Sequence, residues 1–393
     1  MTDRGLGALF FVFLVTGTDA APAQETFSFA YLQRAEDSFY APHRAYTGLT
    51  LRDRHRPLDG ARTAVREGRI LGRMLGLRFE LEQRSLEAGD NPMVAIEALQ
   101  RELGAKVFLL DLPLADFEAL KPALSLGEII FFNVRHGDDR LRGSDCAAAL
   151  FHTLPSDAML MDALAQFLFK KDWRKVLLLV GEEDADRRLS DAFTRSAQKF
   201  RIEIVEQLNF VLSNDPRQRD QNNVALLTGG KKYDVVFVSD SVGEFGRYVP
   251  YNVREPRPVI GSEGLSASAW HWTWERHGAP QLNQRFDRIA KRRMQAVDYA
   301  GWAAVRSVIE AVVRTESTDV TTLRAYLSSD EFIFDAYKGA PASFRPWDLQ
   351  MRQPILLHTE NAVIERAPVE GFLHEKNNLD TLGQDERESA CRM

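Results

Sequence analysis

Short, unbroken apolar runs recur along this chain, each set between stretches of helical periodicity. They fall at residues 107–110 (VFLL), 129–133 (IIFFN), 176–180 (VLLLV) and 235–238 (VVFV). A strand that is apolar on both sides must be covered on both faces. Alternation with helices then calls for a parallel sheet packed between helical layers. The first half predicts strands at 26–32, 77–83, 107–110 and 129–133, with helices at 58–75, 92–103 and 116–124. Pro92 near the first turn and Gly104 just past the end mark the second helix. After residues 147–153 the pattern restarts. Ser156 is placed to cap a helix running to about Lys171. Strands at 176–180, 202–205, 235–238 and 258–261 then alternate with helices at 189–200 and 218–227. Two α/β units therefore stand in series, with a boundary near Pro155. Helices at 282–293, 298–314 and 320–327 and a strand at 354–358 follow. They fit neither unit alone, so the chain is expected to return to the first unit and then to the second.

A chain of 393 residues has room for two domains with proper cores. Its formal net charge of −6 argues against a nucleic-acid partner, which needs a basic face. Arg4, an apolar run at 6–15 and the small residues Ala21-Pro22-Ala23 have the order of a secretory signal peptide. The run is too short to span a bilayer, which takes about 20 residues. The cysteines are Cys146 and Cys391, without metal-ligand spacing, and their pairing is left open. Phosphate-loop, zinc-protease and serine-hydrolase signatures are absent, so neither catalysis nor a cofactor is expected.

Several strings, in their order and spacing, resemble the type I periplasmic binding proteins of the leucine/isoleucine/valine-binding branch. They are PLDGARTAVREG, LEAGDNPMVAIEALQREL, FHTLPSDAMLMDALAQFL, DVVFVSD, VIGSEG and YAGWAAVRSVIEAVVR. WHWTW, RHGAPQLNQRF and RPWDLQMRQPILL are similar to a sub-branch associated with PQQ-dependent alcohol dehydrogenase systems. The resemblance implies an α/β fold of two lobes, each a parallel sheet flanked by helices, joined by crossover segments. Residues 1–23 would be the signal peptide, 24–152 plus 275–342 lobe I, 153–274 plus 343–373 lobe II, and 374–393 a disordered tail. It also implies a monomeric periplasmic receptor that captures a small-molecule solute and delivers it to an ABC permease in the inner membrane.

Open parallel sheets bind ligands beyond the carboxyl ends of their strands. The candidate ligand-binding residues are therefore Asp111, Asn133, Arg135 and His136 in the first unit and Ser239, Ser241 and Glu263 in the second, with Trp272 from the aromatic run. By the resemblance, Glu263 in GSEG stands where the branch meets a ligand's ammonium group. The sequence departs from the branch where hydroxyl-rich loops should hold an α-carboxylate: it has DLPLAD and NVRHGDD. Amino-acid specificity is therefore not carried over.

Arg135-His136-Gly137 is also the tripeptide of phosphate-transferring histidines. Such a site needs a second histidine, a second arginine and an acid from elsewhere. Asp138 and Asp139 offer oxygens to a hard cation, which requires six or more. The plain alternative is that these charges pair among themselves. A ligand sensor is a further alternative to an importer receptor.

Overall fold

The computed structural model describes residues 24–45, 48–126, 128–211 and 215–393. The signal peptide expected at 1–23 lies outside them.

The first sheet has five parallel strands: β1 (Glu25–Arg34), β2 (Leu77–Leu86), β3 (Val107–Asp111), β4 (Ile130–Asn133) and β5 (Leu150–His152), in the order β2-β1-β3-β4-β5. Helices α1 (Leu58–Met74), α2 (Pro92–Leu103) and α3 (Leu114–Leu126) connect them. The second lobe opens with α4 (Asp157–Lys171), capped by Ser156 as expected. Then come β6 (Lys175–Val180), α5 (Asp184–Lys199), β7 (Glu203–Asn209), β8 (Val235–Ser239) and β9 (Val259–Gly261). Its parallel sheet runs β9-β8-β6-β7. β10 (Ser266–Ser268), β11 (Ile355–His358) and β12 (Val363–Ala367) make a separate antiparallel sheet.

Helices α6 (Ala279–Ala290), α7 (Ala296–Thr315) and α8 (Val320–Leu327) return to the first lobe. Their buried side chains join one core with those of β1, β3 and β4. Glycine permits the closest part of this packing. A Cβ on Gly60 of α1 would lie 1.8 Å from the Asp298 carbonyl oxygen, and one on Gly301 of α7 would lie 2.3 Å from that of Pro57. Trp270 stacks on Tyr299 at 4.9 Å and, with Trp274, belongs to the first-lobe core. This places both tryptophans with lobe I, on the other side of the 274/275 division drawn from the sequence.

Two helices differ from expectation. α5 starts at Asp184 because Glu183 and Asp186 form a reciprocal capping box, so an acidic loop-like string is the first turn of a helix. In place of a helix at 218–227 there is a 3-10 segment, Pro216–Asn222, and one α-turn, Val224–Leu227, started by Asn223.

The crossings between lobes are tied by buried polar groups. Lys338 Nζ donates to the carbonyls of Ala269 (2.9 Å) and Pro354 (2.7 Å) and to Gln353 Oε1 (2.6 Å). Gln353 donates in turn to the Thr153 carbonyl at 2.8 Å. One lysine thus joins all the crossing segments. Beside it, the imidazoles of His271 and His358 stack at 4.1 Å. Burial and the second imidazole push His271 down to about 4, and burial lowers His358.

The stretch from His374, expected to be disordered, is docked instead. Asp380 is buried and accepts from the Nε atoms of Arg345 and Arg352, each at 2.9 Å. Leu379 and Leu382 are buried, and Cys391 is bonded to Cys146 of the first lobe. The tail is polar in composition because its buried carboxylate answers two arginines of the body.

Two outcomes follow. Asp380→Ala leaves buried Arg352 without its counter-charge and leaves Arg345 only the more distant Asp348 at 3.8 Å. It should cost about 3–5 kcal/mol in urea unfolding, whereas Lys376→Ala at an exposed pair should leave the urea midpoint nearly unchanged. Between pH 6.5 and about 4 the unfolded chain protonates His271 and the folded chain does not. Wild-type stability should therefore fall, relative to His271→Asn, as pH drops through that window. Parallel profiles would show that the stacked pair does not couple to folding.

Candidate ligand cleft

Asp111 ends β3 with its side chain fully buried. It accepts from the hydroxyls of Tyr31 (2.7 Å) and Tyr40 (2.5 Å) and from Arg56 (3.0 Å), and Arg135 lies 3.8 Å away. Burial raises its carboxyl above the ordinary range, opposed by Tyr40, Tyr31, Arg135 and Arg56. Tyr40 and Arg56 belong to residues 35–45 and 48–56, the described parts of a strap that leaves β1 and returns at α1. Asp37 on the strap takes Arg135 at 2.5 Å. The guanidiniums of Arg54 and Arg135 lie over the Phe39 ring, at 4.5 and 4.6 Å, and that of Arg56 lies over Tyr40 at 4.3 Å. Cation–π contacts of this kind strengthen where water is excluded.

From this seat the strap reaches the second lobe. Arg52 Nη2 donates to Glu263 Oε1 (2.7 Å) and to the carbonyls of Ser262 (2.9 Å) and Asp240 (3.2 Å). Arg54 donates to the Ser241 carbonyl at 2.9 Å. Burial raises the Glu263 carboxyl and Arg52 opposes the shift.

Between the lobes, beside the strap, lies a cavity of about 510 Å³. Phe39, Leu114, His136, Leu160, Arg188 and Ala267 are on its wall. Leu114, Asp157, Ala185 and Ala296, in the first turns of α3, α4, α5 and α7, also border it. Helix N-termini carry partial positive charge and free amide groups, which favour an anion. Acidic groups stand there too. Asp157 takes Arg188 at 2.6 Å, and Asp138 takes Arg140 at 2.9 Å. Arg135 also borders the cavity, and its Nε is buried without a hydrogen-bond acceptor.

A family model described as the receptor family ligand binding region matches residues 119–241. No curated protein matches the sequence significantly. Among solved structures, an amino acid ABC transporter substrate-binding protein from Pseudomonas fluorescens Pf-5 aligns with a TM-score of 0.66 at 15% identity, covering 94% of this chain and 100% of that one. A branched chain amino acid ABC transporter periplasmic ligand-binding protein from Burkholderia xenovorans LB400 gives 0.65 at 13% identity, over 86% and 95%. A solute binding protein of an ABC transporter from R. palustris, in complex with benzoate, gives 0.62 at 13% identity, over 94% and 100%. The fold is that of the type I periplasmic binding proteins.

Within that fold the residues expected to bind ligand divide. Arg135 and His136 border the cavity. Glu263 faces Arg52 of the strap. Asp111 is closed off by its three donors and the nearby Arg135. Asn133 is consumed by its own loop: its Oδ1 accepts from the amides of Arg135 and His136, and its Nδ2 donates to the His136 carbonyl at 2.8 Å. Ser239 Oγ donates to the Asp186 carbonyl at 2.7 Å. The Ser241 amide donates to Asp186 Oδ1. Trp272 carries the Arg293 guanidinium 3.5 Å above its ring and is not on the cavity wall.

His136 Nε2 lies 2.7 Å from the Leu112 carbonyl, and burial holds its imidazole down at about 4. That nitrogen is engaged by the backbone, and the neighbouring arginine by Asp37. Asp138 caps the short turn at Asp139–Arg142, and Asp139 accepts from the Ala158 amide and from Arg195. Among the described residues no group of three or more His, Cys, Asp or Glu is placed to hold a metal ion. The strap side chains and the Asp157–Arg188 pair were missed in the sequence reading. The alternation Arg52-Asp53-Arg54-His55-Arg56 was the available signal.

Asp111→Asn should loosen the strap by removing the charge that faces Arg56 and Arg135. The expected result is faster tryptic cleavage within residues 35–56 with unchanged far-UV circular dichroism. It should also cost about 3–5 kcal/mol of stability. A wild-type digestion pattern would show that the strap is seated without this carboxylate.

Proposed function

We propose that the protein is the solute-binding component of an ABC importer and that its solute is a small carboxylic acid with an apolar body. The observation that carries this reading is the mostly apolar cavity between two sheet-cored lobes, bordered by four helix N-termini and by Arg188 and Arg135. A pocket of this kind orients a ligand with a few polar groups and buries the rest. The benzoate complex of the R. palustris solute binding protein supports an acid of this class. Closure of the lobes would bury the solute, and the closed form would dock on an inner-membrane permease. The receptor is read as monomeric and periplasmic. The Cys146–Cys391 bond supports an oxidising compartment. No helix among the described residues is long and apolar enough to cross a membrane.

The finer reading links the receptor to PQQ-dependent alcohol oxidation, on the strings around Trp270–Trp274 and Trp347. Oxidation of a primary alcohol through its aldehyde ends in a carboxylic acid, the group the cavity favours.

A thermal-shift panel tests both readings: benzoate, hydroxybenzoates, short aliphatic acids, the corresponding alcohols, leucine, PQQ and metal ions. Acids should raise the melting temperature and alcohols should not. Arg188→Ala should weaken acid binding about tenfold or more, the loss of one charge-assisted contact. Failure of every acid would sink the proposed solute class.

A further inference from the structure

We infer that the strand ends of the second lobe form a guanidinium site and that this chain fills it with its own Arg52. One nitrogen of Arg52 meets three acceptors, the Glu263 carboxylate and the carbonyls of Ser262 and Asp240. A surface of acceptors with one carboxylate is chemistry for a cation that donates several hydrogen bonds.

The loop is shaped for that occupant. The Asp240 carboxylate is turned inward, taking the amides of Val242 (3.1 Å), Gly243 (2.7 Å) and Gly246 (2.6 Å), so that its carbonyl faces outward. Ser262 Oγ takes the Asp240 amide at 2.9 Å and fixes the facing loop. Gly243 has φ +84°, and a Cβ there would stand 2.8 Å from Arg52 Nε. The absence of a side chain at 243 leaves the space that the guanidinium uses.

The filled site joins the lobes. Arg52 is carried by a strap whose root is Asp111, in lobe I, and its acceptors are in lobe II. The strap therefore latches the cleft without a solute, and the site expected to receive a ligand's ammonium group is taken in cis. Solute recognition moves to the neighbouring cavity, which holds no part of this cation site. Free guanidinium compounds are the ligand class the vacated site would bind.

The test needs no solute, so it stands or falls apart from the carboxylic-acid reading. Small-angle scattering is recorded on the full protein and on Arg52→Ala, Glu263→Gln and the double variant, each checked for native circular dichroism. Both single variants should show a larger radius of gyration than wild type. Methylguanidinium at 10 mM, against sodium chloride at equal ionic strength, should raise the melting temperature of Arg52→Ala by occupying the vacated acceptors of Glu263, Ser262 and Asp240. The double variant should not respond. Wild-type scattering from both single variants would overturn the latch. Absence of a methylguanidinium effect on an opened Arg52→Ala, or an equal effect on the double variant, would overturn the guanidinium site.

Discussion

One buried carboxylate, Asp111, sets the geometry on which the cleft depends. A carboxylate at the end of a central strand, sealed from water, is costly unless donors surround it. Tyr31 comes from the neighbouring strand, Tyr40 and Arg56 from the strap, and Arg135 from the loop after β4. The same requirement that neutralises Asp111 therefore draws Tyr40 and Arg56 to the end of the first sheet. Asp37 then completes Arg135, and the rings of Phe39 and Tyr40 lie against the guanidiniums. What a strand-end acid does for a solute in an open cleft, this one does for the chain's own loop.

The sheets were legible in the sequence because their central strands are apolar on both sides, and that pattern has few other uses. The strand at 107–110 needed only one more residue, and the helix at 320–327 matched to the residue. The strap showed in the sequence only as the charge alternation Arg52-Asp53-Arg54-His55-Arg56, because a loop held by charge and rings has no helix or strand period. The docked tail failed for a related reason. Its composition is that of a solvated segment, yet Asp380 is specified by Arg345 and Arg352, which lie about thirty residues upstream. The site was half legible. Strand ends were the right place to look, and Arg135, His136 and Glu263 are at the cleft, but Asn133 and Ser239 spend their polar atoms holding the loops that present them. Whether a strand-end polar side chain faces inward or outward depends on partners that sequence spacing does not reveal.

The hinge reads the same way. Lys338 is buried, and burial pushes its ammonium well below the ordinary lysine range, yet its three hydrogen bonds go to acceptors on crossing segments and its ammonium lies over the Tyr299 ring. An apolar side chain there would leave the carbonyls of Ala269 and Pro354 without their donor, a cost of about 1–3 kcal/mol for each buried group. The lysine fixes where the crossings meet.

Latch and hinge then act on one coordinate from opposite ends. The hinge contacts lie in the interior and are shared by every lobe orientation that keeps the crossings together. The latch contacts lie at the cleft mouth, with Arg52 and Glu263 each retaining about a quarter to a third of their side-chain exposure. A partly exposed pair exchanges with water more readily than a buried one. Opening therefore breaks the weak outer contacts and leaves the buried inner ones intact. That ordering is what a receptor needs if it is to admit a solute without unfolding its crossings. It also explains why the strap is anchored through Asp111 on the first lobe and held only by its arginine tips on the second.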